Sequence, residues 1–329
     1  MTTDPQMFVY HAYFRLTGLL QRANVYLGRQ FVYCGVGNTL LDGLRVRYKP
    51  FRTMQLDVFG GSSVSSQDPE QIRSFSDFGS LGGRLAFQPQ LTTRLGLSWM
   101  LRKREGQVSS NKLGLDGEQT IGFYRLYGRA SYNMVDSRLA GILIRTSYSN
   151  AGWYLSGEFD QREPSVAANT LFSILDFGDY KQARLDVQRT VLRDLVVVSQ
   201  LRVDFRTGRD SWCTSFGVRT SYYGLSWHHQ SGYGGDRDGV SGFLNLRLNP
   251  RWELFSTTNL YRYRVQAEQT DRNDAHSTSL GLLWRPGRGF TARADGQYLR
   301  NAVRGHDVRI LLRFTKGFSL SQNSGKAKS

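Results

Sequence analysis

Apolar side chains fall on every second residue in segment after segment of this chain, and arginine repeatedly occupies the positions between them. Leu195, Val197, Leu201, Val203 and Phe205 alternate with Gln200, Arg202, Asp204 and Arg206; Val240, Leu244, Leu246 and Leu248 alternate with Ser241, Asn245 and Arg247. A period of two is the period of a strand, so each segment has one apolar face and one polar, charged face. Such strands need an apolar medium on one side and water on the other. With well over a dozen in a row, joined by short turns bracketed by aromatics, the simplest medium is a lipid bilayer and the simplest object a transmembrane β-barrel.

The alternation predicts 19 strands, at 7–19, 23–33, 43–50, 52–61, 80–88, 92–104, 112–119, 123–133, 137–148, 152–161, 180–190, 194–206, 211–223, 224–231, 239–248, 251–266, 277–285, 289–299 and 306–318. Short turns (Lys49 to Arg52, Gln88 to Gln90, Ser149 to Gly152, Asn249 to Arg251, Arg285 to Gly289) alternate with longer polar connections (62–79, 105–111, 162–179, 232–238, 267–276, 300–305). Short turns on one rim and long loops on the other is the outer-membrane arrangement. Tyr48, Phe51, Phe87, Tyr148, Trp153, Tyr222, Tyr223, Trp227, Trp252, Trp284 and Phe290 gather beside the short turns, as a headgroup-level aromatic girdle would. The expected fold is all-β: one antiparallel meander barrel of about 16–20 strands over residues 1–318, with a polar tail over 319–329. An odd strand count, a first strand that begins at Met7 and the lack of a signal peptide predict an N-terminally truncated or mature form.

A mean hydropathy of -0.43 and a hydrophobic content of 40% exclude helical spans, but fit a barrel that shows lipid only alternate residues. Of 43 basic residues, 36 are arginine, and the formal net charge is +16. These arginines recur at strand period along the whole length rather than clustering in a helix or tail. That favours a basic interior surface over nucleic-acid binding. The polar-face, pore-lining candidates are Arg45, Arg47, Arg84, Arg94, Arg102, Arg184, Arg202, Arg206, Arg219, Arg247, Arg293, Arg309 and Arg313, with Asp57, Asp186, Asp204 and Asp295 on the same face. Arginine rings select anions by attracting the ion and replacing part of its hydration shell. The bland alternative is that these arginines pair with the acids and fill the wall.

Leu27-Gly28-Arg29-Gln30, then Gly35-Val36-Gly37 and Leu41-Asp42-Gly43-Leu44-Arg45, resembles a hairpin of porin-like Gram-negative outer-membrane barrels, including alginate-export-type channels and their uncharacterised relatives. The stretch from Glu158 to Phe177 and the segment Gly296-Gln297-Tyr298-Leu299 are similar to recurring pieces of such barrels. Val308, Ile310, Leu312, Phe314 and Phe318 resemble the C-terminal strand read by the barrel assembly machinery, although a polar tail follows. The resemblance implies a channel architecture and carries no substrate with it.

Signals of other chemistry are weak. Gly35-Val36-Gly37 lacks the third glycine of a dinucleotide fingerprint, and Cys34 and Cys213 have no metal-spaced partners. His228 and His229 are adjacent, so in a strand they face opposite sides. The expected function is passive diffusion of small anionic solutes through an arginine-rich lumen in the outer membrane, without cofactor or catalysis. Its expected partners are membrane lipid and lipopolysaccharide, the assembly machinery and the solutes. The alternatives are a plugged, lipopolysaccharide-binding barrel and a barrel hydrolase using His11, His276 or His306 with a serine.

Overall fold

The structure, a computed structural model, describes residues 11–19, 22–64, 71, 73–163, 180–206, 210–233, 235–264, 271–287, 289–302 and 305–316. The described residues form 19 strands in one sheet, in the number and order that alternation predicts. The starts of the first predicted strand (7–10), Phe318 and the tail, and most of the 162–179 connection lie outside the described residues. No described helix is long and apolar enough to cross a membrane.

By contacts the chain divides into two compact units. The first contains β1 (Ala12–Leu19), β2 (Ala23–Tyr33), β3 (Asn38–Phe51), β4 (Met54–Ser63), a single helical turn α1 (Phe75–Phe78), β5 (Gly79–Gln90), β6 (Thr93–Arg104), β7 (Gln107–Ile121), β8 (Tyr124–Asn133) and β9 (Arg138–Asn150), with most of β10 (Trp153–Arg162). Each of β1 to β8 pairs antiparallel with the next strand. The second contains β13 (Ser211–Arg219), β14 (Tyr223–Gly232), β15 (Asp236–Asn249), β16 (Trp252–Arg264), β17 (Asn273–Gly287), β18 (Phe290–Asn301) and β19 (Gly305–Lys316), again consecutive and antiparallel. β11 (Tyr180–Leu192) and β12 (Leu195–Phe205) belong mainly to the second unit.

Several strands run further than the alternation indicates. β3 begins at Asn38 rather than 43, and β7 begins at Gln107 rather than 112, so that only Glu105 and Gly106 remain as a turn after β6, where the sequence suggests a longer polar loop. The reason is that Leu40 and Leu41 put apolar side chains on both faces at the start of β3, while the start of β7 is almost wholly polar, so the period-two signal vanishes while the hydrogen-bond ladder continues. β13 ends at Arg219, because Thr220 Oγ1 accepts hydrogen bonds from the Tyr222 and Tyr223 backbone and turns the chain.

Register places the apolar residues of adjacent strands on one face. In the first unit Leu95, Leu97, Leu115, Leu126 and Ile144 stand outward and exposed; in the second Leu225, Leu260, Leu280, Ile310 and Leu312 do. Among the described residues only nine hydrophobic side chains are buried. Water would penalise so many exposed leucines by roughly 1.5–3 kcal/mol each relative to burial, so the face requires an apolar surrounding. Aromatics close this face at the short-turn rim. Tyr124 and Tyr148 meet at 5.0 Å, and Trp252, Trp284, Phe290 and Phe314 form a continuous row across β16 to β19 with centroid separations of 5.7, 6.1 and 6.4 Å.

An ion pair interrupts the apolar face of the first unit. Arg29 and Asp42 are register partners on β2 and β3, joined by two bonds of 2.7 and 2.6 Å, with Leu27 opposite Leu44 on one side and Phe31 opposite Leu40 on the other. These are the residues that carry the hairpin resemblance.

Candidate functional site

The polar face of the first unit is curled around the β2–β3 connection. Cys34 N donates to Gly37 O at 3.0 Å, closing a turn in which Gly35 takes φ +85°, a left-handed conformation that favours glycine. This turn folds over the polar face instead of extending past the rim. Val36 seats on Gly114 of β7 so closely that a Cβ at Gly114 would collide with its Cγ1. A Cβ at Gly37 would lie 2.9 Å from Met100 Sδ on β6. Val32, Cys34, Leu41, Phe59 and Met100 form a buried apolar cluster beneath, with Val36 against it. The turn thus narrows the polar face from within, held by apolar burial at positions where alternation alone predicts water-lined wall. Cys34 is a free, buried thiol in this cluster.

Charges surround the narrowing. Deeper along the face, Arg45 and Arg47 share Asp57, with Arg45 Nη2 at 2.5 Å and Arg47 Nε at 3.3 Å. Arg84 on β5 reaches across β6 to Asp116 on β7 at 2.5 Å, a span made possible by Gly96, where a Cβ would lie 2.5 Å from Asp116 Oδ1. At the turn itself stand Arg102 and Lys112. Arg102 is opposite Ser110 and Lys112 opposite Met100, which makes the two basic side chains diagonal neighbours on the same face. Among the described residues neither forms an ion pair, and Arg102 Nε is buried without a hydrogen-bond partner. Asp136 is the acid whose field reaches Lys112. Arg129 Nη1 donates to Tyr33 Oη at 3.4 Å beside the turn.

Twelve of the 13 arginines predicted to line the pore stand within strands, and Arg206 lies just past the end of β12. Arg45, Arg47, Arg84, Arg293 and Arg309 are held by carboxylates; Arg293 meets Asp295 at 2.7 Å and Arg309 meets Asp307 at 2.5 Å. Arg184, Arg202 and Arg206 are engaged by neighbours. Arg219 Nη2 donates to Gln188 Oε1 at 2.9 Å and sits at the short-turn end of β13, whereas Arg206 follows the loop end of β12. Arg94, Arg102, Arg247 and Arg313 form no ion pair among the described residues, and of these four Arg102 is part-buried while the others are exposed. The polar face therefore combines neutralised arginines with a few uncompensated ones.

Alternation does not reveal the inward turn, its apolar seat or Lys112 as the neighbour of Arg102. Three glycines at 35, 37 and 114 are the sequence trace of that close approach, but their pairing is long-range. His228 and His229 do face opposite sides: His228 Nε2 is 2.7 Å from Ser241 Oγ on the polar face, and His229 Nδ1 is 2.5 Å from Asp238 on the apolar face. Among the described residues no carboxylate holds the other nitrogen of His228, so this Ser/His pair lacks the group that would orient a general base. His276 and His306 lie on the apolar face, bonded to Thr278 and Tyr298 rather than to a serine. No group of three or more described His, Cys, Asp or Glu side chains is placed to hold a metal.

No protein-family model matches the chain, and no curated protein does either. Solved structures with a similar course of the chain include a BenF-like porin from Pseudomonas fluorescens Pf-5 (12% identity, TM-score 0.48, 91% of this chain and 97% of that one). Others are OccK10 (OpdN) of Pseudomonas aeruginosa (13%, 0.48, 91% and 98%) and OccAB3 of Acinetobacter baumannii (12%, 0.46, 89% and 97%). Nothing about the site is read from likeness at this level.

Proposed function

We propose that this chain is an outer-membrane β-barrel of a Gram-negative bacterium through which small anionic solutes diffuse passively. The membrane assignment rests on the exposed leucine face bounded by an aromatic rim. A sheet with one such face and free edges would pair with other chains, and closure removes those edges. The short-turn rim is then periplasmic.

The observation that carries the anion preference is the Arg102 and Lys112 pair under the Val36 turn. Arg45, Arg47, Arg84, Arg293 and Arg309 are bridged to acids, and Arg94, Arg247 and Arg313 are exposed to solvent, so the field is least screened at the part-buried Arg102 and Lys112 beside the turn, which no ion pair bridges among the described residues. Low-dielectric walls strengthen that field. Arginine stays protonated at any working pH, so half of this field is pH-independent.

The test is the reversal potential of the reconstituted chain in a KCl gradient. The unmodified protein is expected to be anion-selective, more so at low salt, since the Debye length shortens to about 8 Å at physiological ionic strength. Arg102→Gln with Lys112→Gln is expected to reduce the preference more than Arg45→Gln with Asp57→Asn, which removes a paired charge. Cation selectivity in the unmodified protein would overturn the reading.

A further inference from the structure

Apart from a close cross-strand pair such as Arg29 and Asp42, charges on an apolar barrel face cost least at headgroup level, so their height is informative. In the second unit the Trp252–Trp284 stack marks the short-turn rim of β16 and β17. Eight to ten residues further along the same face, leucines give way to Arg262, Asp274 and His276, with Arg300 on β18 and His306 on β19 in register beside them. That is about 26–33 Å of strand, or about 20–25 Å of height at a tilt of about 40°, which is one hydrocarbon thickness. The row stands where the headgroups of the opposite leaflet would be.

Its members converge. His276 is directly opposite Arg300 and diagonal to Arg262, so three basic side chains on three adjacent strands span about 10 Å. Two acids share the row. Asp274 lies 3.4 Å from Arg262, with both side chains about three-quarters exposed, and Asp238 is already engaged by His229 and Arg272. Among the described residues Arg300 meets no acid. Directly below, Leu260, Val240 and Trp227 line a groove whose charged end holds Arg262, His276 and Arg300 together with Asp238 and Asp274. With Asp238 taken up by His229 and Arg272, and Asp274 beside Arg262, the side of the groove at Arg300 and His276 is left to receive the anionic head of an amphiphile.

We propose that this rim binds a phosphorylated lipid, with its phosphomonoester on Arg262, Arg300 and His276 and an acyl chain against Leu260 and Val240. Guanidinium matches phosphate geometry in a way a lone positive charge does not, and two arginines flanking one imidazole supply donors from both sides. The proposal rests on the membrane reading above and deepens it by fixing which face and which leaflet level engage lipid.

The full chain is reconstituted into phosphatidylcholine vesicles containing a minor fraction of phosphatidate, extracted in mild neutral detergent, and examined by native mass spectrometry. Phosphatidate is expected to stay bound about tenfold above its share of the vesicle, as charge-assisted hydrogen bonds of about 1.5 kcal/mol would give. Arg262→Gln with Arg300→Gln should return it to that share, and Lys316→Gln at the other rim should not. Equal retention of the two lipids by the unmodified protein, which needs no variant to fold, overturns the proposal, as does undiminished retention by the double variant. Heat-modifiable gel migration reads insertion separately: an inserted chain without phosphatidate enrichment refutes this site alone, and a chain that never inserts refutes the membrane reading along with it.

Discussion

Asp116 is the residue whose loss separates stability from selectivity. It carries the negative end of a 2.5 Å bridge to Arg84, with side-chain exposures of 8% for Asp116 and 17% for Arg84. Asp116→Asn keeps the shape and removes the charge, leaving Arg84 partly buried and uncompensated. Breaking a fully buried pair costs about 3–5 kcal/mol, and the residual exposure of Arg84 lowers the expected cost to about 2–3 kcal/mol. The same change adds one positive charge to the wall near the Val36 turn. At about 8 Å in water that charge is worth about 0.5 kcal/mol to a passing anion, or about a twofold gain, falling below 1.5-fold once physiological salt screens it. Unfolding from vesicles by guanidinium should show the stability loss, and the reversal potential at low and high salt should show the gain and its decay. A variant that is destabilised but no more anion-selective at low salt would mean that solutes do not pass this pair, and the path drawn from the polar face would be wrong.

Other positions test other parts of the account. Arg29 lies six residues above the start of β2, about 20 Å along the strand and about 15 Å in height, near the midplane of the apolar band. Asp42→Leu alone should therefore cost about 2–4 kcal/mol in a bilayer-folding titration, and Arg29→Leu with Asp42→Leu much less. Leu246 sits only three residues from the end of β15, so Leu246→Arg should cost less than Leu280→Arg further from the rim, and Asn245→Arg on the polar face least of all; equal costs would remove the facing assignment. Gly114→Leu should eject Val36 from its seat, with a stability loss of about 1–3 kcal/mol and a larger single-channel conductance, whereas unchanged conductance would show that the turn does not narrow the path.

The strands are legible because apolar and aromatic side chains recur at second residues, as at Leu95 and Leu97 or Ile310, Leu312 and Phe314, a local signal that register preserves. Where the two faces stop differing, both carrying leucine at Leu40 and Leu41 and both nearly all polar from Gln107 to Lys112, the period disappears and the starts of β3 and β7 are not visible. The polar-face arginines were legible for the same local reason. Their charge balance was not, since Arg84 meets an acid 32 residues away across an intervening strand and Arg102 meets none. The inward turn was the least visible element: Gly35-Val36-Gly37 reads as any tight connection, and only the three-dimensional path brings it to Gly114. Alternation states which face a side chain takes, and the site depends on which distant strand shares that face.

The account stands or falls on whether the chain conducts. A planar-bilayer recording of the full-length protein, refolded and shown by heat-modifiable migration to be inserted, is expected to give discrete conductance steps. A flat baseline from an inserted chain would contradict it and leave a plugged, lipid-binding barrel as the reading to test.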